Sequence, residues 1–341
     1  DSTRGSRVSP YYPPSPCPGF GRGLRVASAS PSDLSALPAT AAPLNSLAEA
    51  LIRDSGLTRG YALIVGANRL PLALLLSQRT GLTIHIAEPD AGKAEAARHT
   101  LFSAGLYGSR IVVDELSDWN PTHSLPYPPY FANLVVWQAD PEKGDVLSPS
   151  LLLRHVKPCG GLFYLQGASA PPREWTDKGE VKSVVLAGGG WMKLIRGRLP
   201  GSGDWTHQWA DAGNTSCSGD RLMRGKPDVL WYGEPGPDKM PDRHRRNEAP
   251  LVLDGRVYAE GFRTLDQTPI LMCFDAYNGL PYWERPFPGA GRLDILADCG
   301  NLAVSSNGLF VAAGNACYRL DLATAKRKGV IERRQGANGR G

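Results

Sequence analysis

One continuous stretch, residues 61–90, constrains the fold of this chain more than any other. It opens with an apolar run, residues 62–65, that stops at Gly66 and is followed by the leucine-rich residues 70–76. A second run of β-forming residues then ends on Glu88. Because a strand that is apolar throughout needs cover on both faces of its sheet, this order predicts strand, tight turn, helix and strand within a parallel sheet.

The turn at Gly66 and the acid at Glu88 are the candidate ligand-binding residues of this stretch. A turn between strand and helix places free backbone N–H groups of the helix start at the carboxyl edge of the sheet. An acid that closes the next strand lies where it can accept hydrogen bonds from ribose hydroxyls. The alternative, a tight turn and an exposed strand end without a ligand, stays open.

The rest of the first half alternates helical and strand patterns behind an arm, residues 1–44, that is rich in Pro, Ser, Gly and Ala. The composition of the arm predicts a disordered or extended segment. The later predicted elements are a helix over 44–56 closed by Gly56, a helix over 91–105, strands over 110–113 and 131–136, a helix over 147–156, a strand over 161–165 and a hairpin of 184–186 with 191–195. This alternation predicts a doubly wound parallel sheet with the hairpin at one edge.

Several motifs of this half together resemble a known family. The segments IVGAN, EPD, AGLYGSRIVV, LPYPPYFANLVV and HVKPCGG are similar to class I S-adenosylmethionine-dependent methyltransferases of Rossmann-like fold, over about residues 45–198. The resemblance implies S-adenosylmethionine as the cofactor. It also implies that Gly66, Ala67 and Asn68 approach the methionine part of the cofactor and that Glu88 holds the ribose.

Other positions complete the pattern of this family or depart from it. The resemblance places an acid after the third strand near the adenine, here Asp114 or Asp118. Asn68 and Leu70 stand where the turn of the family has glycine, and Ile64 replaces the acid that often precedes this turn. A side chain at Leu70 would crowd a backbone that has to approach a ligand closely. The sequence therefore supports the strand order better than the cofactor site.

Beyond Arg198 the sequence changes to short strands separated by turns rich in Gly, Pro, Asn and Asp, which predicts an all-β region. The predicted strands cover residues 229–232, 251–253, 256–259, 270–274, 302–304, 309–312 and 317–320. Two segments, 251–261 and 303–314, echo each other as strand, Asx-Gly turn and strand. This order is typical of the hairpins of a propeller blade.

The segment from Asp275 to Gly279, followed by Trp283, is similar to the repeat of pyrroloquinoline-quinone (PQQ)-type β-propellers, in which a Trp packs between blades. The tryptophans predicted to pack in this way are Trp205, Trp209, Trp231 and Trp283. A propeller behind a methyltransferase-like domain resembles large bacterial proteins of the planctomycete type, which implies an exported or periplasmic protein.

The all-β region is too short for a closed ring of blades. Residues 199–341 hold about three blades at roughly 40–45 residues each, whereas closed propellers have 4–8. Residues 326–341 show no strand pattern and are predicted to form a disordered tail. We expect the natural protein to continue beyond Gly341 and its remaining blades, or another chain, to be partners of this partial propeller.

Quinone dehydrogenases that share this repeat use a calcium site and a catalytic aspartate. No matching cluster of carboxylates and asparagine supports a PQQ site in this sequence. The polar residues that stand out in the region are His207, Asp211, Asp242, Arg243 and His244. Hydrogen bonding within turns and between blades is the alternative interpretation of this polar set.

Composition excludes several other classes of function. The formal net charge of +5 comes without a basic face interleaved with aromatic residues, which indicates solvated charge rather than nucleic-acid binding. The six cysteines form no CxxC pair, so zinc-ribbon and haem-attachment spacings are absent. No apolar run reaches the roughly 18 residues of a membrane-spanning helix, and no signal-peptide pattern opens the given chain.

Two functional classes stay open. The first is a methyltransferase fused to a propeller that serves as a binding platform, with an unknown acceptor substrate. The second is a non-catalytic scaffold with a degenerate methyltransferase-like domain, or a propeller like that of PQQ-type dehydrogenases. His85, within a predicted strand, and His155, on a predicted helix, are interpreted as structural, so the sequence assigns no catalytic residue.

Overall fold

A seven-stranded sheet flanked by helices forms the first half of the chain in the computed structural model. The structure describes residues 42–116, 125–138, 147–233, 239, 249–263, 266, 268–290 and 300–332. The elements of this half are α1 (Ala42–Ser55), β1 (Arg59–Val65), α2 (Leu70–Arg79), β2 (Gly81–Glu88), α3 (Ala91–Ser103), β3 (Ile111–Glu115), β4 (Leu134–Gln138), α4 (Pro149–Leu153), β5 (Leu162–Gln166), β6 (Gly179–Leu186) and β7 (Gly189–Arg196).

The strand order of this sheet is β3-β2-β1-β4-β5-β7-β6. Strands β1 to β5 run parallel, and β7 lies antiparallel between β5 and β6. The order 3-2-1-4-5 is that of a doubly wound Rossmann-like sheet, in which the order reverses between β1 and β4. The predicted Rossmann-like fold with a hairpin at one edge is therefore confirmed. None of the helices in the described ranges is long and apolar enough to cross a membrane.

The apolar runs of the sequence become the two-sided core of this sheet. Ala62, Leu63 and Ile64 of the central strand are fully buried. Helix α2 covers one face with buried residues from Leu72 to Ser77. On the other face Phe163 packs against the buried ring of Trp175, with 4.9 Å between ring centroids. Burial on both faces is what the uniformly apolar strand required.

The helix predicted over residues 147–156 is wrong in its second half, because α4 ends earlier. The carbonyl of Arg154 accepts a hydrogen bond from the Tyr130 N–H at 3.0 Å, and that of His155 accepts one from the Ala132 N–H at 2.9 Å. These bonds tie the chain to the segment before β4, so its carbonyls are not available to continue a helix. For the same reason β4 begins at Leu134, later than the strand predicted over 131–136.

The second half contains two four-stranded antiparallel sheets in the described residues. Their strands are β8 (Leu251–Leu253), β9 (Arg256–Phe262), β10 (Pro269–Asp275) and β11 (Pro281–Pro286), then β12 (Leu302–Ser305), β13 (Gly308–Ala313), β14 (Ala316–Leu320) and β15 (Arg327–Glu332). The two sheets share one hydrophobic cluster. The disordered tail predicted over 326–341 is wrong for the residues of β15, which form a strand through backbone pairing with β14.

The strand predicted at residues 229–232 is wrong. Val229 and Tyr232 are 75% and 96% exposed, and no described strand pairs with this segment. The described residues thus form two sheets of consecutive antiparallel strands, as expected of an all-β region, whereas the three blades and the propeller itself stay predictions. Trp209 also departs from its predicted packing, since it is 39% exposed.

Two tryptophans make the same hydrogen bond to consecutive turns. The Trp231 Nε1–H donates to the carbonyl of Ala276, which follows Asp275, at 3.0 Å. The Trp283 Nε1–H donates to the carbonyl of Leu322, which follows Asp321, at 3.0 Å. Trp283 also packs against the cluster between the two sheets, as its sequence context predicts.

At Gly279 there is no room for a side chain, because the Trp231 ring packs against this turn. Its φ is +70°, and a Cβ there would lie 2.3 Å from the Trp231 ring. We expect Gly279→Ala to destabilise the fold by about 1–3 kcal/mol more than Gly314→Ala. Gly314 is the matched control, because its φ is +59° and nothing lies within 4 Å of its Cβ position. Urea unfolding of both variants measures the difference. Equal losses in the free energy of unfolding would show that the contact with Trp231 does not limit the residue at position 279.

The first β-sheet is attached to the amino ends of the parallel strands. Lys157, which precedes β5, places its Nζ 2.8 Å from the Asp275 Oδ2, and both side chains are buried. The Asp275 carboxylate also accepts hydrogen bonds from the Tyr282 hydroxyl at 2.6 Å and the Tyr277 N–H at 2.9 Å. The Asn278 amide donates to the Phe131 carbonyl at 2.8 Å. These contacts form what we call the junction, and they leave the carboxyl edge of the sheet uncovered by the β-sheets.

Removal of one partner of the junction ion pair leaves the other charge buried without compensation. We expect Lys157→Met or Asp275→Asn alone to lower the free energy of unfolding by about 3–5 kcal/mol, and the double variant to lose less than the sum. Chemical denaturation of the full chain measures all four species. Glu180→Gln, which breaks an exposed pair with Lys182, is the control and should change stability by less than about 1 kcal/mol. Small and additive losses at Lys157 and Asp275 would contradict this description of the junction.

Candidate functional site

The candidate site lies at the carboxyl edge of the parallel sheet, where the strand order reverses between β1 and β4. Gly66 directly follows β1 with a φ of +92°, a conformation that favours glycine. Its N–H donates to the Ala87 carbonyl at 2.8 Å, and its carbonyl accepts from the Arg69 N–H at 3.0 Å. The second bond closes a short 3-10 turn over Ala67–Arg69 that leads into α2. The turn is therefore fixed to β2 one residue before Glu88.

Asn68 covers this turn. Its carboxamide Oδ1 lies 2.7 Å from where a Cβ on Gly66 would be. Leu70, predicted to crowd the turn, is instead the first residue of α2. The side chain that stands over Gly66 is thus that of Asn68, because the 3-10 turn carries the chain away before Leu70.

Glu88 is the last residue of β2 and is only 5% exposed. Its Oε1 accepts a hydrogen bond from the Asp90 N–H at 2.8 Å, and its backbone carbonyl accepts one from Leu116 at 2.8 Å. Asp90 then caps α3 through the Lys93 N–H. The strand end is therefore not exposed as the alternative expects, since the carboxylate is buried at the edge and held in place by its own turn. Ligand contact at Gly66 and Glu88 stays a prediction.

Asp114 lies within β3, and its carboxylate is engaged on the face of the sheet. Its Oδ2 is 2.9 Å from the His85 Nδ1 and accepts a hydrogen bond from the Tyr127 hydroxyl at 3.0 Å. Burial, together with this carboxylate, raises the pKa of Tyr127. A role for Asp114 near an adenine stays a prediction, and Asp118 lies outside the described residues. The ring of His85 packs edge-on against those of Tyr127 and Phe131.

His155 is fully buried, with its Nδ1 3.0 Å from the Pro128 carbonyl. Burial lowers its pKa, and the nearby Arg154 and Arg196 add to this effect. These contacts favour the structural interpretation of His155.

Two glutamines at the same edge escaped the sequence analysis. Gln138 and Gln166 end β4 and β5 and are register partners. The Gln138 Nε2 donates to the Gln166 Oε1, and the Gln166 Nε2 donates to the Gly188 carbonyl at 2.7 Å. The Gln138 Oε1 is buried and accepts no hydrogen bond from the described residues. Glu88 was singled out because it is a polar residue at the end of a strand. The same pattern in the sequence would have identified Gln138 and Gln166.

Arg69 adds a positive charge beside the turn. It is half-buried at the start of α2, and burial lowers its pKa. No hydrogen bond or ion pair joins its guanidinium to the described part of the chain. A cation without a carboxylate partner, next to the first N–H groups of a helix, favours a negatively charged ligand group.

The polar set predicted in the β region is only partly described, since Asp242, Arg243 and His244 lie outside the described residues. The His207 Nδ1 is 2.9 Å from the Thr206 hydroxyl oxygen. The exposed Asp211 accepts hydrogen bonds from the Thr215 hydroxyl and from the Thr215 and Gly213 N–H groups, which lower its pKa. Asp211 thus organises its own loop. The described ranges hold no group of three His, Cys, Asp or Glu residues able to bind a metal ion.

No protein-family model matches this chain, and no curated protein does. Among solved structures it is similar to a SAM-dependent methyltransferase from Aquifex aeolicus, at 13% identity and a TM-score of 0.33, covering 45% of this chain and 90% of that one. It is also similar to geranyl diphosphate C-methyltransferase from Streptomyces coelicolor, at 16% identity and a TM-score of 0.30, covering 35% and 44% of the two chains. Similarities this distant carry no argument about activity, and the fold assignment rests on the strand order.

Proposed function

We propose that this chain binds S-adenosylmethionine at the carboxyl edge of its parallel sheet and transfers the methyl group to an acceptor substrate. One observation carries the proposal. The hydrogen bond from the Gly66 N–H to the Ala87 carbonyl fixes the glycine turn beside the buried carboxylate of Glu88, at the point where the strand order reverses. Doubly wound sheets bind their ligands at this point.

The polar groups of the site fit the polar groups of this cofactor. S-adenosylmethionine offers donors in its ribose hydroxyls and ammonium group, and the site offers acceptors in Glu88 and in the Gln138 Oε1, which has no partner in the described part of the chain. Its one carboxylate matches the guanidinium of Arg69 and the N–H groups at the start of α2. We therefore assign Glu88 to the ribose, Arg69 to the methionine carboxylate and Gln138 to a donor of the methionine or ribose part.

When bound, the cofactor supplies an electrophilic methyl group on a positively charged sulfur. The residues named above bind and orient it, and orientation of reacting groups is a large part of such catalysis. The junction keeps the β-sheets at the other edge, so an acceptor can approach the carboxyl edge without meeting them. Of the three residues assigned here to the cofactor, Glu88, Arg69 and Gln138, Glu88 alone has a side chain that can accept a proton.

A specific observation favours a second candidate, a non-catalytic scaffold that retains the fold. The Asn68 carboxamide lies where the backbone of Gly66 would be approached by a ligand. In this alternative the turn is degenerate, and the all-β half is the functional part. The hydrogen bond from a tryptophan to a turn, which occurs at both Trp231 and Trp283, supports the proposal that this half belongs to a propeller of the PQQ type. In this proposal the propeller acts as a binding platform.

Glu88→Gln tests the proposed cofactor site. Loss of a charged acceptor should weaken the binding of S-adenosylmethionine by about 1–3 kcal/mol, because hydrogen bonds to charged groups contribute on this scale. Calorimetric titration of the full chain measures the affinity, and thermal unfolding checks that the variant is folded. Glu95→Gln, on the exposed side of α3, is the matched control and should bind as the wild type does. Failure of the wild type to bind would overturn the proposal, whereas equal affinity of wild type and Glu88→Gln would remove only Glu88.

Asn68→Gly distinguishes the two candidates. If the turn is degenerate, removal of the carboxamide should open Gly66 and raise the affinity for S-adenosylmethionine about tenfold or more. If the site is functional as it stands, affinity and methyl transfer should not increase. The same titration, performed with S-adenosylhomocysteine as well, measures the change. A clear gain would therefore favour the scaffold over the enzyme.

A further inference from the structure

Two adjoining cavities lie near the amino ends of the parallel strands, away from the proposed cofactor site. The first, of about 330 Å³, lies between α4 and the residues that follow β7, and we call it the basic cavity. The second, of about 640 Å³, lies between this region and the first β-sheet, and we call it the apolar cavity. Tyr130, Arg198 and Leu199 line both, so the two spaces meet at these residues. Their volumes are those of small-molecule sites, which occur preferentially at such boundaries.

Three of the four cations that line the basic cavity have no carboxylate partner in the described residues. Arg154, Lys178, Arg196 and Arg198 line it, and none of its described lining residues is acidic. Arg198 is paired with Asp204, at 2.6 Å. Arg154 and Lys178 are exposed and form no ion pair with the described residues.

Arg196 is the buried member of this group. It is only 8% exposed, and its Nη1 donates to the backbone carbonyls of Leu153, at 2.7 Å, and of Val156. No carboxylate in the described ranges pairs with it, and burial lowers its pKa. A guanidinium that is buried without a counter-ion is unfavourable, and a bound anion would relieve this.

The apolar cavity supplies a hydrophobic surface next to this charge. Its apolar lining residues include Leu199, Trp205, Leu222, Met223, Leu230 and Val252. Leu222 and Met223 are 46% and 69% exposed, although they line a concave surface. The two acids that line this cavity are engaged, since Asp204 pairs with Arg198 and Asp220 accepts hydrogen bonds from three backbone N–H groups.

The backbone is strained where the two cavities meet. Tyr130 and Cys159, which line the apolar cavity, have φ values of +64° and +55°, in the left-handed region. The ring of Tyr130 lies 4.9 Å from the Arg196 guanidinium carbon and 5.7 Å from the ring of Tyr277. Left-handed residues other than glycine are unfavourable and concentrate at binding and active sites. Here they hold an aromatic ring between the positive and the apolar surfaces.

We infer that the two cavities form one binding site for a small amphipathic anion, with an oxyanion head in the basic cavity and an apolar body in the apolar cavity. Arg154, Lys178 and Arg196 bind the head. Leu222 and Met223 close over the body. The site does not depend on the proposed methyl transfer, because it lies at the opposite edge of the sheet.

Octyl phosphate, below its micellar concentration, is the probe that tests this site on the full chain. We expect it to bind more tightly than inorganic phosphate, which has only the head, and than 1-octanol, which has only the tail. Affinity should rise about fourfold for each methylene that enters the cavity when butyl, hexyl and octyl phosphates are compared. Octylammonium, of opposite charge, should bind at least tenfold more weakly than octyl phosphate. Calorimetry measures the affinities, and the fluorescence of Trp205 provides a second signal.

The variant Arg154→Gln/Lys178→Gln changes two exposed residues that form no ion pair within the described ranges, so we expect it to fold. It should lose at least tenfold in affinity for octyl phosphate and keep its affinity for 1-octanol. Lys93→Gln/Lys182→Gln removes the same charge from exposed sites elsewhere and is the matched control. Leu222→Ser/Met223→Ser should reduce the gain with chain length. The inference is overturned if octyl phosphate binds no better than inorganic phosphate, or if the two double-glutamine variants bind it equally.

Discussion

The buried ion pair between Lys157 and Asp275 is the interaction on which the arrangement of this chain depends. Two buried charges are stable only when they are paired and further hydrogen-bonded, and Asp275 meets this condition through Tyr282 and Tyr277. Because Lys157 lies at the amino end of β5, the pair can form only if the β-sheets attach at that edge. The proposed cofactor site at the carboxyl edge and the contacts at the amino edge are thereby separated across one sheet.

This separation explains how two kinds of site can coexist. At the carboxyl edge, the buried Glu88 and the Gln138 Oε1, which has no partner in the described residues, offer acceptors, whereas Arg69 and the N–H groups at the start of α2 offer donors. At the amino edge, the basic cavity lies between α4 and the residues that follow β7, and attachment of the first β-sheet leaves the apolar cavity beside it. In the two proposals made here, one fold provides a surface for a nucleoside cofactor and, independently, a concave surface for an amphipathic anion. Fold alone does not decide which of these the protein uses, and the named side chains are what distinguish them.

Local patterns predicted the elements well, and non-local pairings account for what they missed. The apolar run at residues 62–65 predicted β1, because a strand that is covered on both faces needs an apolar residue at every position. No local sequence pattern indicates that β7 lies beside β5, or that β15 forms by pairing with β14. Glu88 was found because an acid ends an apolar run. The partnership of Lys157 with Asp275 was not, because 118 residues of sequence, from 157 to 275, separate them.

Hydrogen–deuterium exchange with S-adenosylhomocysteine tests the proposed cofactor site at the carboxyl edge most directly. Ligand bound there should slow exchange in peptides that cover residues 62–70 and 86–90. Peptides that cover the junction, near residues 155–160 and 275–282, should exchange as they do without ligand. Protection confined to the junction, or no protection at the carboxyl edge at saturating ligand, would contradict the claim.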